Sequence, residues 1–521
     1  MQGARLRWHD VEQQAVTDQS EVFAFLSDPA THGLHEPVTR IDTHGAAVFL
    51  AGADAYKVKR AVRLPFMDFS TLEKRRLACE NELAVNKENA PDLYLGVVPI
   101  SKDRSRLSFG HGAIVEWAVH MRRFDETRTL DRLVARNEIG LEIIHELANV
   151  VAASHRRAPI VSEKESTAAL QRHIEETLTS LEAALDVFAA ADLVALRRAM
   201  RQSFSGLQPL LMDRERQGQV RRCHGDLHLR NIVLIEKQPV LFDAIEFDDT
   251  IATCDVLYDL AFLLMDLWTR DLHRHANLLL NRYLQICDER EGQLQGLALV
   301  PLFLSLRAAI RAKVIILQPG NPEENASEAR RYFKAACAFL APERLELVAI
   351  GGLSGTGKSS LATQLAASIG RAPGAVHLRS DVERKRLFQV HELDRLPSEA
   401  YRAEHTFKTY QRLRDLAALA LGSGQSVAID AVHLRLDERL AVEDVANRFD
   451  AHFTGLWLEA PVKVLKDRVA NRKRDASDAT GEVVEAQALE PIGPMGWQVI
   501  EASGPLDRLV DRATAAIRET S

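Results

Sequence analysis

The chain has few cysteines and lacks a hydrophobic run long enough to cross a bilayer. Its five cysteines are odd in number and have no C-x-x-C spacing, so we expect neither a disulfide framework nor a zinc site, and a reducing cytosol is the predicted location. No stretch reaches the roughly 18 to 20 apolar residues that a membrane helix needs, and we expect no membrane partner. The first 30 residues carry several acidic groups and no continuous apolar segment, which argues against a secretory signal.

Positive charge is not in excess either. The formal net charge is -7, which provides no electrostatic footprint for duplex nucleic acid and favours small or polar molecules as partners. Hydrophobic residues make up 46% and charged residues 27% of the sequence, as in an ordinary globular protein. With 521 residues the chain is too long for one core, and we predict two domains. Its oligomeric state is left open.

The first two thirds of the chain have the pattern of a small sheet lobe followed by a helical lobe, an α+β arrangement. Residues 47–50 and 55–59 flank a turn at Gly52 and predict a hairpin. A leucine-rich stretch at 257–267, interrupted by two aspartates, is interpreted as a buried helix rather than a membrane segment. Further predicted elements are a helix at 71–89, strands at 95–100 and 113–119, and helices within 131–212, 255–317 and 327–340.

The last third has the alternating pattern of an α/β domain. Apolar runs near 345–350, 375–378, 426–430 and 453–458 are separated by helical segments, which predicts a parallel sheet. The Ala341-Pro342 step is a break between the two patterns. We therefore divide the chain into domains at 1–342 and 343–521.

A polar motif at residues 223–231 has the spacing H-G-D-x-x-x-x-N and is followed by Asp243. Phosphoryl transfer to a hydroxyl needs a carboxylate near the acceptor proton, metal ligands that bridge the phosphates, and a cation on the nucleotide. Asp226 is the candidate base, and Asn231 and Asp243 are candidate oxygen ligands for Mg²⁺. His224 is expected to support the loop by hydrogen bonding. The alternative interpretation is a turn that is merely rich in polar residues.

A second phosphate site is predicted about 120 residues later, where a strand leads into a G-x-x-x-x-G-K-[ST] loop and then a helix. Backbone N–H groups at the helix N-terminus would hold the phosphates of ATP. Lys358 would reach the β- and γ-phosphates, the Ser359 hydroxyl would bind Mg²⁺, and Asp430 at a strand end would lie near the metal. The candidate ATP-binding residues here are Gly352, Leu353, Ser354, Gly355, Thr356, Gly357, Lys358, Ser359 and Ser360.

Two further segments indicate an acceptor and a lid for this second site. Asp381 follows the second predicted strand, where it could deprotonate an acceptor hydroxyl, and Arg384 could hold an anionic substrate. A helix N-cap is the competing interpretation of Asp381 and the serine before it. Arg468 and Arg472, with the nearby Arg474, could neutralise charge on the transferred group from a closing lid, or could form a solvated helix face.

The first motif resembles that of the aminoglycoside phosphotransferase family, over roughly residues 20–340, and the resemblance implies a bilobed protein-kinase-like fold. It also implies that Lys57 contacts the α- and β-phosphates of ATP and that Glu82 is its helix partner, with Lys59 and Glu80 as alternatives. No G-x-G-x-x-G loop precedes Lys57. The absence of this loop is common in the aminoglycoside group and unlike protein kinases, so protein substrates are disfavoured. Resistance to an antibiotic does not follow from this resemblance.

The second motif resembles P-loop small-molecule kinases of the gluconate, chloramphenicol and polynucleotide kinase type, over residues 345–521. Both resemblances occur in this order in a bacterial family of fusions between the two domain types. They imply a bifunctional ATP-dependent phosphotransferase that acts on hydroxyls of small molecules. Two alternatives stay open: the C-terminal domain is a polynucleotide or nucleoside kinase, or it binds ATP only to regulate a single catalytic N-terminal kinase.

Overall fold

The chain folds into two compact units, and each unit is made of two separate stretches of the sequence. The structure, a computed structural model, describes residues 17–64, 67–161, 165–318, 320–471 and 476–520. The first unit comprises the described residues up to Thr269 together with Leu302–Leu340. The second comprises Arg270–Pro301 and the described residues from Ala341 onward.

The first unit begins with an antiparallel six-stranded sheet, whose order is β1 (Thr39–Asp42), β2 (Ala46–Ala51), β3 (Asp54–Lys59), β8 (Ala113–Arg122), β6 (Tyr94–Asp103) and β7 (Arg106–Phe109). Its strands are rich in Val, Ile, Phe and Tyr, which fit a pleated surface buried on one face by helix α2 (Leu72–Lys87). A separate hairpin, β10–β11, follows the H-G-D motif. The strands of this unit outside the six-stranded sheet are β4 (Arg63–Leu64), β5 (Met67–Asp68), β9 (Val220–Arg222), β10 (Ile232–Ile235), β11 (Gln238–Leu241) and β12 (Thr253–Asp255).

Helices form the rest of the first unit. The most deeply buried, α8, runs Val256–Trp268, and its residues from Val256 to Leu267 are all buried, the two aspartates among them. With α2 above, the helices are α1 (Ser20–Ser27), α3 (Leu130–Ala135), α4 (Leu141–Arg157), α5 (Ser166–Glu182), α6 (Ala190–Arg216), α7 (Asp249–Ala252), α8, α11 (Val300–Leu317) and α12 (Pro322–Phe339). This is the α+β bilobed, kinase-like arrangement that the sequence predicts.

The second unit is built on an all-parallel sheet of five strands in the order β14-β15-β13-β16-β17. The central strand β13 is parallel to β15 on one side and to β16 on the other. Its carboxyl end therefore lies at the same end of the sheet as theirs. The strands are β13 (Glu346–Gly352), β14 (Val376–Arg379), β15 (Val427–Asp430), β16 (His452–Glu459) and β17 (Gln498–Glu501). The helices are α9 (His273–Ile286), α10 (Arg290–Gly296), α13 (Lys358–Leu365), α14 (Ser380–Leu387), α15 (Ala403–Gly422), α16 (Leu436–Arg448), α17 (Val462–Ala470), α18 (Gly481–Leu489) and α19 (Leu506–Thr520).

Two details differ from the sequence-based interpretation. Helix α12 begins at Pro322, five residues before the predicted start, because the Asn321 side chain caps it and proline is well placed in a first helical turn. Residues 270–301, which the division at 342/343 assigns to the first domain, group with the second unit. Asn281 of α9 accepts a hydrogen bond from strand β14, and Arg290 of α10 bonds to Glu383 of helix α14.

No helix among the described residues is long and apolar enough to cross a membrane. The five cysteines are free thiols, and four of them are buried. Burial raises the pKa of Cys287 to about 11, which keeps that thiol protonated near neutral pH.

Candidate active sites

Lys57 of the inner strand β3 meets Glu82 of helix α2 and Asp243, which follows β11. The Nζ of Lys57 lies 2.7 Å from Glu82 Oε1 and 2.6 Å from Asp243 Oδ1. Burial alone would lower the pKa of Lys57, but Asp243 and Glu82 outweigh burial and raise that pKa well above its usual range. Lys57 is therefore a permanent cation held between a helix carboxylate and the aspartate that follows β11.

The alternatives Lys59 and Glu80 occupy different environments. The Glu80 carboxylate is 2.6 Å from Arg76 on the surface of α2 and does not reach either lysine. Lys59 is buried and forms ion pairs with Glu82, at 2.5 Å, and with Glu246. Glu82 thus serves both lysines, and only Lys57 also contacts Asp243.

The negative charge of Glu82 is shared by both lysines, and replacing Glu82 by glutamine tests how much that charge contributes to stability. We expect Glu82→Gln to lower the free energy of unfolding by about 2 to 4 kcal/mol, because the buried ammonium group of Lys59 and the half-buried one of Lys57 lose a shared partner. Glu80→Gln is the matched control, since it removes an exposed partner of Arg76 and should leave stability unchanged. Urea unfolding of both variants measures the difference. Equal stability of the two variants would contradict this account of Glu82.

Asp226 and Asn231 face each other across the H-G-D loop. The Nδ2 of Asn231 donates to Asp226 Oδ2 at 2.9 Å and to the Asp226 carbonyl at 3.0 Å, which leaves the Asn231 amide oxygen as an acceptor. Burial would raise the pKa of Asp226, but the neighbouring His228 and His224 outweigh it and hold that pKa below the usual range. Asp226 is therefore a carboxylate at neutral pH.

Asp243 has a strained backbone that aims its carboxylate. Its φ is +60°, a left-handed conformation that a non-glycine residue adopts at a cost. The backbone N–H of Asp243 donates to the Tyr94 hydroxyl at 3.1 Å, and the next N–H, of Ala244, donates to Asn86 Oδ1 at 2.8 Å. The Phe242 N–H donates to the Asn231 carbonyl at 3.0 Å, which ties the two candidate metal ligands together. A carboxylate and an amide oxygen are donors that Mg²⁺ accepts.

The two aspartates of helix α8 accept hydrogen bonds from this loop, a role that no sequence motif predicts. Asp259 accepts hydrogen bonds from the N–H of Gly225 at 2.8 Å and of His224 at 3.3 Å, and its side chain is fully buried. Asp266 accepts from the N–H of Leu229 at 3.1 Å. Carboxylates inside a leucine-rich helix are costly unless they are bonded, and that cost was the signal available in the sequence.

The glycine-rich loop of the second unit joins β13 to α13 in the predicted way. Gly352, Gly355 and Gly357 have φ values of +136°, +88° and +93°, and a Cβ at Gly352 would come within 2.6 Å of the Leu458 carbonyl oxygen. The buried Nζ of Lys358 donates to the carbonyls of Gly352 at 2.8 Å and Leu353 at 2.9 Å. The loop therefore curls around its own lysine at the N-terminus of a helix, where an anion is favoured.

A cavity of about 390 Å³ lies beside this loop. It brings together residues from the loop, β14–α14, the end of β15 and helix α17. Those that line it are Ser354, Gly355, Gly357, Lys358, Ser359, Ser360, Ser380, Asp381, Asp430, Val432, Arg468 and Ser477. Leu353 and Thr356 bond to each other within the loop, with Thr356 Oγ1 donating to the Leu353 carbonyl at 2.8 Å.

The pKa values of the two aspartates in this cavity are shifted in opposite directions. Asp430 lies 3.1 Å from His377 Nε2 and 3.6 Å from Arg379 Nε, and although burial opposes them these groups lower its pKa to about 2. Burial raises the pKa of Asp381, and the charge of Asp430 raises it further. One carboxylate is thus fixed as an anion suited to a metal, and the other is easier to protonate.

The predicted arginines are distributed unevenly around the cavity. Arg468 lines it while its Nη2 donates to the Ser503 carbonyl at 3.1 Å. Arg472 and Arg474 lie outside the described residues. Arg384 is buried and donates to the Ala400 carbonyl at 2.7 Å, so its guanidinium supports the segment after α14.

Two family models match the chain, one in each part. The model described as a phosphotransferase enzyme family matches residues 111–297, and the model described as an AAA domain matches residues 347–490. These matches and the two folds give a kinase-like phosphotransferase region followed by a P-loop domain of the kinase type.

Three solved kinase structures are similar to parts of the chain. A choline kinase from Cryptosporidium parvum is 12% identical, with a TM-score of 0.38, and the match covers 61% of this chain and 95% of that one. A sugar kinase from Janibacter is 19% identical, with a TM-score of 0.26, over 33% and 95% of the two chains. An APS kinase from Mycobacterium tuberculosis, solved with AMPPNP and APS, is 18% identical, with a TM-score of 0.26, over 34% and 99%.

Curated relatives match nearly the whole length. They include the protein named Uncharacterized protein Mb2027c from Mycobacterium bovis and the one named Uncharacterized protein Rv2004c from Mycobacterium tuberculosis. Each is 31% identical over 485 residues, which cover 91% of this chain and 94% of the relative. The chain therefore belongs to the same family as these mycobacterial proteins, and it carries a phosphotransferase-family region followed by an AAA domain.

Proposed function

We propose that the protein is a bifunctional ATP-dependent phosphotransferase that transfers the γ-phosphoryl group to hydroxyls of small molecules at two separate sites. The observation that carries this proposal is that each unit gathers a cation, oxygen donors for a metal and a further carboxylate at one place. Those three parts are what phosphoryl transfer to a hydroxyl requires.

At the first site, Lys57 would hold the nucleotide phosphates, and Glu82 would hold Lys57. Asn231 and Asp243 would bind Mg²⁺, and that ion would supply positive charge against the charge of the phosphates. In this structure Asp243 pairs with Lys57, so we expect that contact to be exchanged for metal and phosphate contacts when ATP binds. Asp226, anionic at neutral pH, would accept the proton of the acceptor hydroxyl.

At the second site, the loop amides and Lys358 would hold the phosphates, and Ser359 with Asp430 would bind Mg²⁺. Lys358 now donates to two carbonyls of its own loop, and the phosphates would compete for that ammonium group. Asp381, in the same cavity as Lys358 and Asp430, would take the proton of the second acceptor. Arg468 lines that cavity and would stabilise charge on the transferred group.

The pKa values of the two candidate bases predict different pH dependence at the two sites. A carboxylate acts as a base only when deprotonated, so transfer is lost as the pH falls through its pKa. The pKa of Asp226 is lowered and that of Asp381 is raised, and the second activity should therefore decline first on acidification from neutral pH. Initial rates of both transfers, measured on one protein from about pH 4 to about pH 8, test this prediction. That range begins near the ordinary pKa of a carboxyl group and ends above neutrality. A first activity that declines before the second would contradict the assignment of bases.

A polynucleotide or nucleoside acceptor for the second site rests on the resemblance of the segment from Arg379 to Arg384 to the acceptor motif of that group of kinases. Only Asp381 of the Asp381–Arg384 pair lines the cavity, because Arg384 is bonded to the Ala400 carbonyl. Such an acceptor predicts transfer of label to 5′-hydroxyl ends of oligonucleotides. A purely regulatory P-loop unit is disfavoured because Asp381 lines the same cavity as Lys358 and has no need to do so for ATP binding alone. It predicts ATP binding at Lys358 without any Lys358-dependent product.

A further inference from the structure

Helix α9 completes the hydrogen bonding of an edge strand of the second sheet. Among the described strands, β14 pairs with β15 alone, so one side of its backbone needs other partners. Asn277 Nδ2 donates to the carbonyls of Pro373 and Ala375, in the segment that leads directly into β14, each at 3.0 Å. Asn281 Oδ1 accepts from the N–H of His377 at 2.7 Å. Two asparagine side chains on α9 therefore fix the strand that carries His377.

That strand positions the candidate metal ligand. His377 and Arg379, both on β14, approach Asp430 at 3.1 and 3.6 Å. A displacement of β14 would move both groups and change the orientation of the Asp430 carboxylate. Asn281 thus acts on Asp430 indirectly: it bonds to the backbone of His377, and the His377 side chain contacts Asp430.

Helix α10 contacts helix α14, which carries the cavity residue Asp381. Glu383 on α14 is fully buried and forms an ion pair with the buried Arg290 of α10, while Arg412 Nε lies 3.7 Å away. Residues two apart on a helix point in different directions, so Glu383 faces away from the side where Asp381 lines the cavity. The ion pair therefore fixes the rear of α14 and, through it, the placement of Asp381.

A third contact links α9 to the segment that follows α14. Arg282 Nη1 lies 2.8 Å from Glu392 Oε1, and Gln285 Nε2 donates to Glu392 Oε2 at 2.6 Å. Lys385 donates to the Glu392 carbonyl at 2.9 Å and pairs with Asp478 at 3.1 Å. Asp478 follows Ser477, which lines the cavity.

We infer that α9 and α10, although they lie in the part of the sequence that matches the phosphotransferase family, are positioning elements of the P-loop site. Arg290 is the key positioning residue, because it acts on Asp381 only through Glu383 and helix α14. This inference rests on the proposed function of the second site, whose acceptor base is Asp381. It assigns to residues 273–296 a role in a reaction that the 343–521 segment alone would lack.

The test uses the full chain and three substitutions. Arg290→Gln leaves Glu383 buried without its main partner, so Lys358-dependent phosphoryl transfer should fall by about tenfold to a hundredfold in kcat. The KM for ATP should change little, because the loop around Lys358 is untouched. Arg290→Lys should recover most of the loss, since an ammonium can still pair with Glu383. Adding Glu383→Gln to Arg290→Gln should cost little more than Arg290→Gln alone.

Controls separate this positioning role from general destabilisation and from failure of the proposed function. Arg448→Gln, at the exposed end of α16, should change nothing, and Asp226-dependent transfer should be unaffected by Arg290→Gln. Hydrogen–deuterium exchange of residues 376–387 should increase in Arg290→Gln and not in Arg448→Gln. If the native chain makes no Lys358-dependent product, the proposed function fails, and the exchange result still decides the role of Arg290. Unchanged exchange in Arg290→Gln would overturn the inference, as would unchanged kcat in a chain with second-site activity.

Discussion

Replacing Asp226 by asparagine is expected to lower kcat at the first site by about 10²- to 10⁴-fold, the usual contribution of a positioned base. The amide has the shape of the carboxylate and can still accept the hydrogen bond from Asn231 Nδ2, so the loop should keep its conformation. ATP affinity should be nearly unchanged, because Lys57 and the metal ligands remain. Steady-state kinetics with the first-site acceptor, and ATP titration of the same protein, measure the two effects.

The control for this variant is Asp249→Asn, an equally conservative change at an exposed carboxylate on α7 that pairs with Arg222 at 3.1 Å. It should have no effect on kcat. An Asp226→Asn protein that retains full kcat would contradict the role of Asp226 as the base. Loss of ATP affinity together with kcat would instead indicate that Asp226 contributes to nucleotide binding.

Replacing Lys358 by alanine has the second large expected effect, on binding rather than on chemistry alone. A hydrogen bond to a charged group contributes about 1.5 to 3 kcal/mol, so ATP affinity of the P-loop site should fall by at least about tenfold. Calorimetric titration with ATP and Mg²⁺ should give two sites per chain for the native protein, and in Lys358→Ala one of the two should be weaker by at least that factor. Transfer at the P-loop site should fall together with that affinity.

Lys408→Ala is the matched control, because Lys408 is an exposed residue of α15 that pairs with Glu404 at 2.6 Å. It should retain two ATP sites and both activities. A Lys358→Ala protein that still binds two ATP molecules with unchanged affinity would show that the loop is not the second nucleotide site.

Much of the fold could be predicted from local pattern, and the reasons are specific. The run before Gly352 is continuously apolar because β13 is buried between two parallel neighbours, and it was predicted as a strand. The hairpin around Gly52 was also predicted, since alternation and a turn glycine lie next to each other in the sequence. Strand β17 was missed, because its four residues alternate weakly and only one of them is buried.

The site residues that the sequence singled out were those in motifs with fixed spacing. The structure brings Lys57, Glu82 and Asp243 into contact, although up to 186 positions separate them, because strand β3, helix α2 and the turn after β11 meet. Supporting groups such as Asp259 and His377 lie outside any motif. Their importance depends on which backbone N–H or carboxylate they face, and that is set by tertiary packing.

The division of the chain into domains shows the same limit. Residues 270–301 have helical periodicity like their neighbours and carry no linker signal on either side, so nothing local separates them from the first domain. They group with the second unit, and their side chains bond to residues about a hundred positions away, as Asn277, Asn281, Arg282 and Arg290 do. Such contacts are visible only in three dimensions.

The most direct test of two independent kinase sites is phosphate transfer from γ-labelled ATP into a fractionated metabolite extract. Native protein, Asp226→Asn and Lys358→Ala would be compared under identical conditions. The account predicts two labelled products, one lost only in Asp226→Asn and the other lost only in Lys358→Ala. Loss of all labelling in Asp226→Asn, with every product retained in Lys358→Ala, would contradict it and leave a single kinase with a nucleotide-binding domain attached.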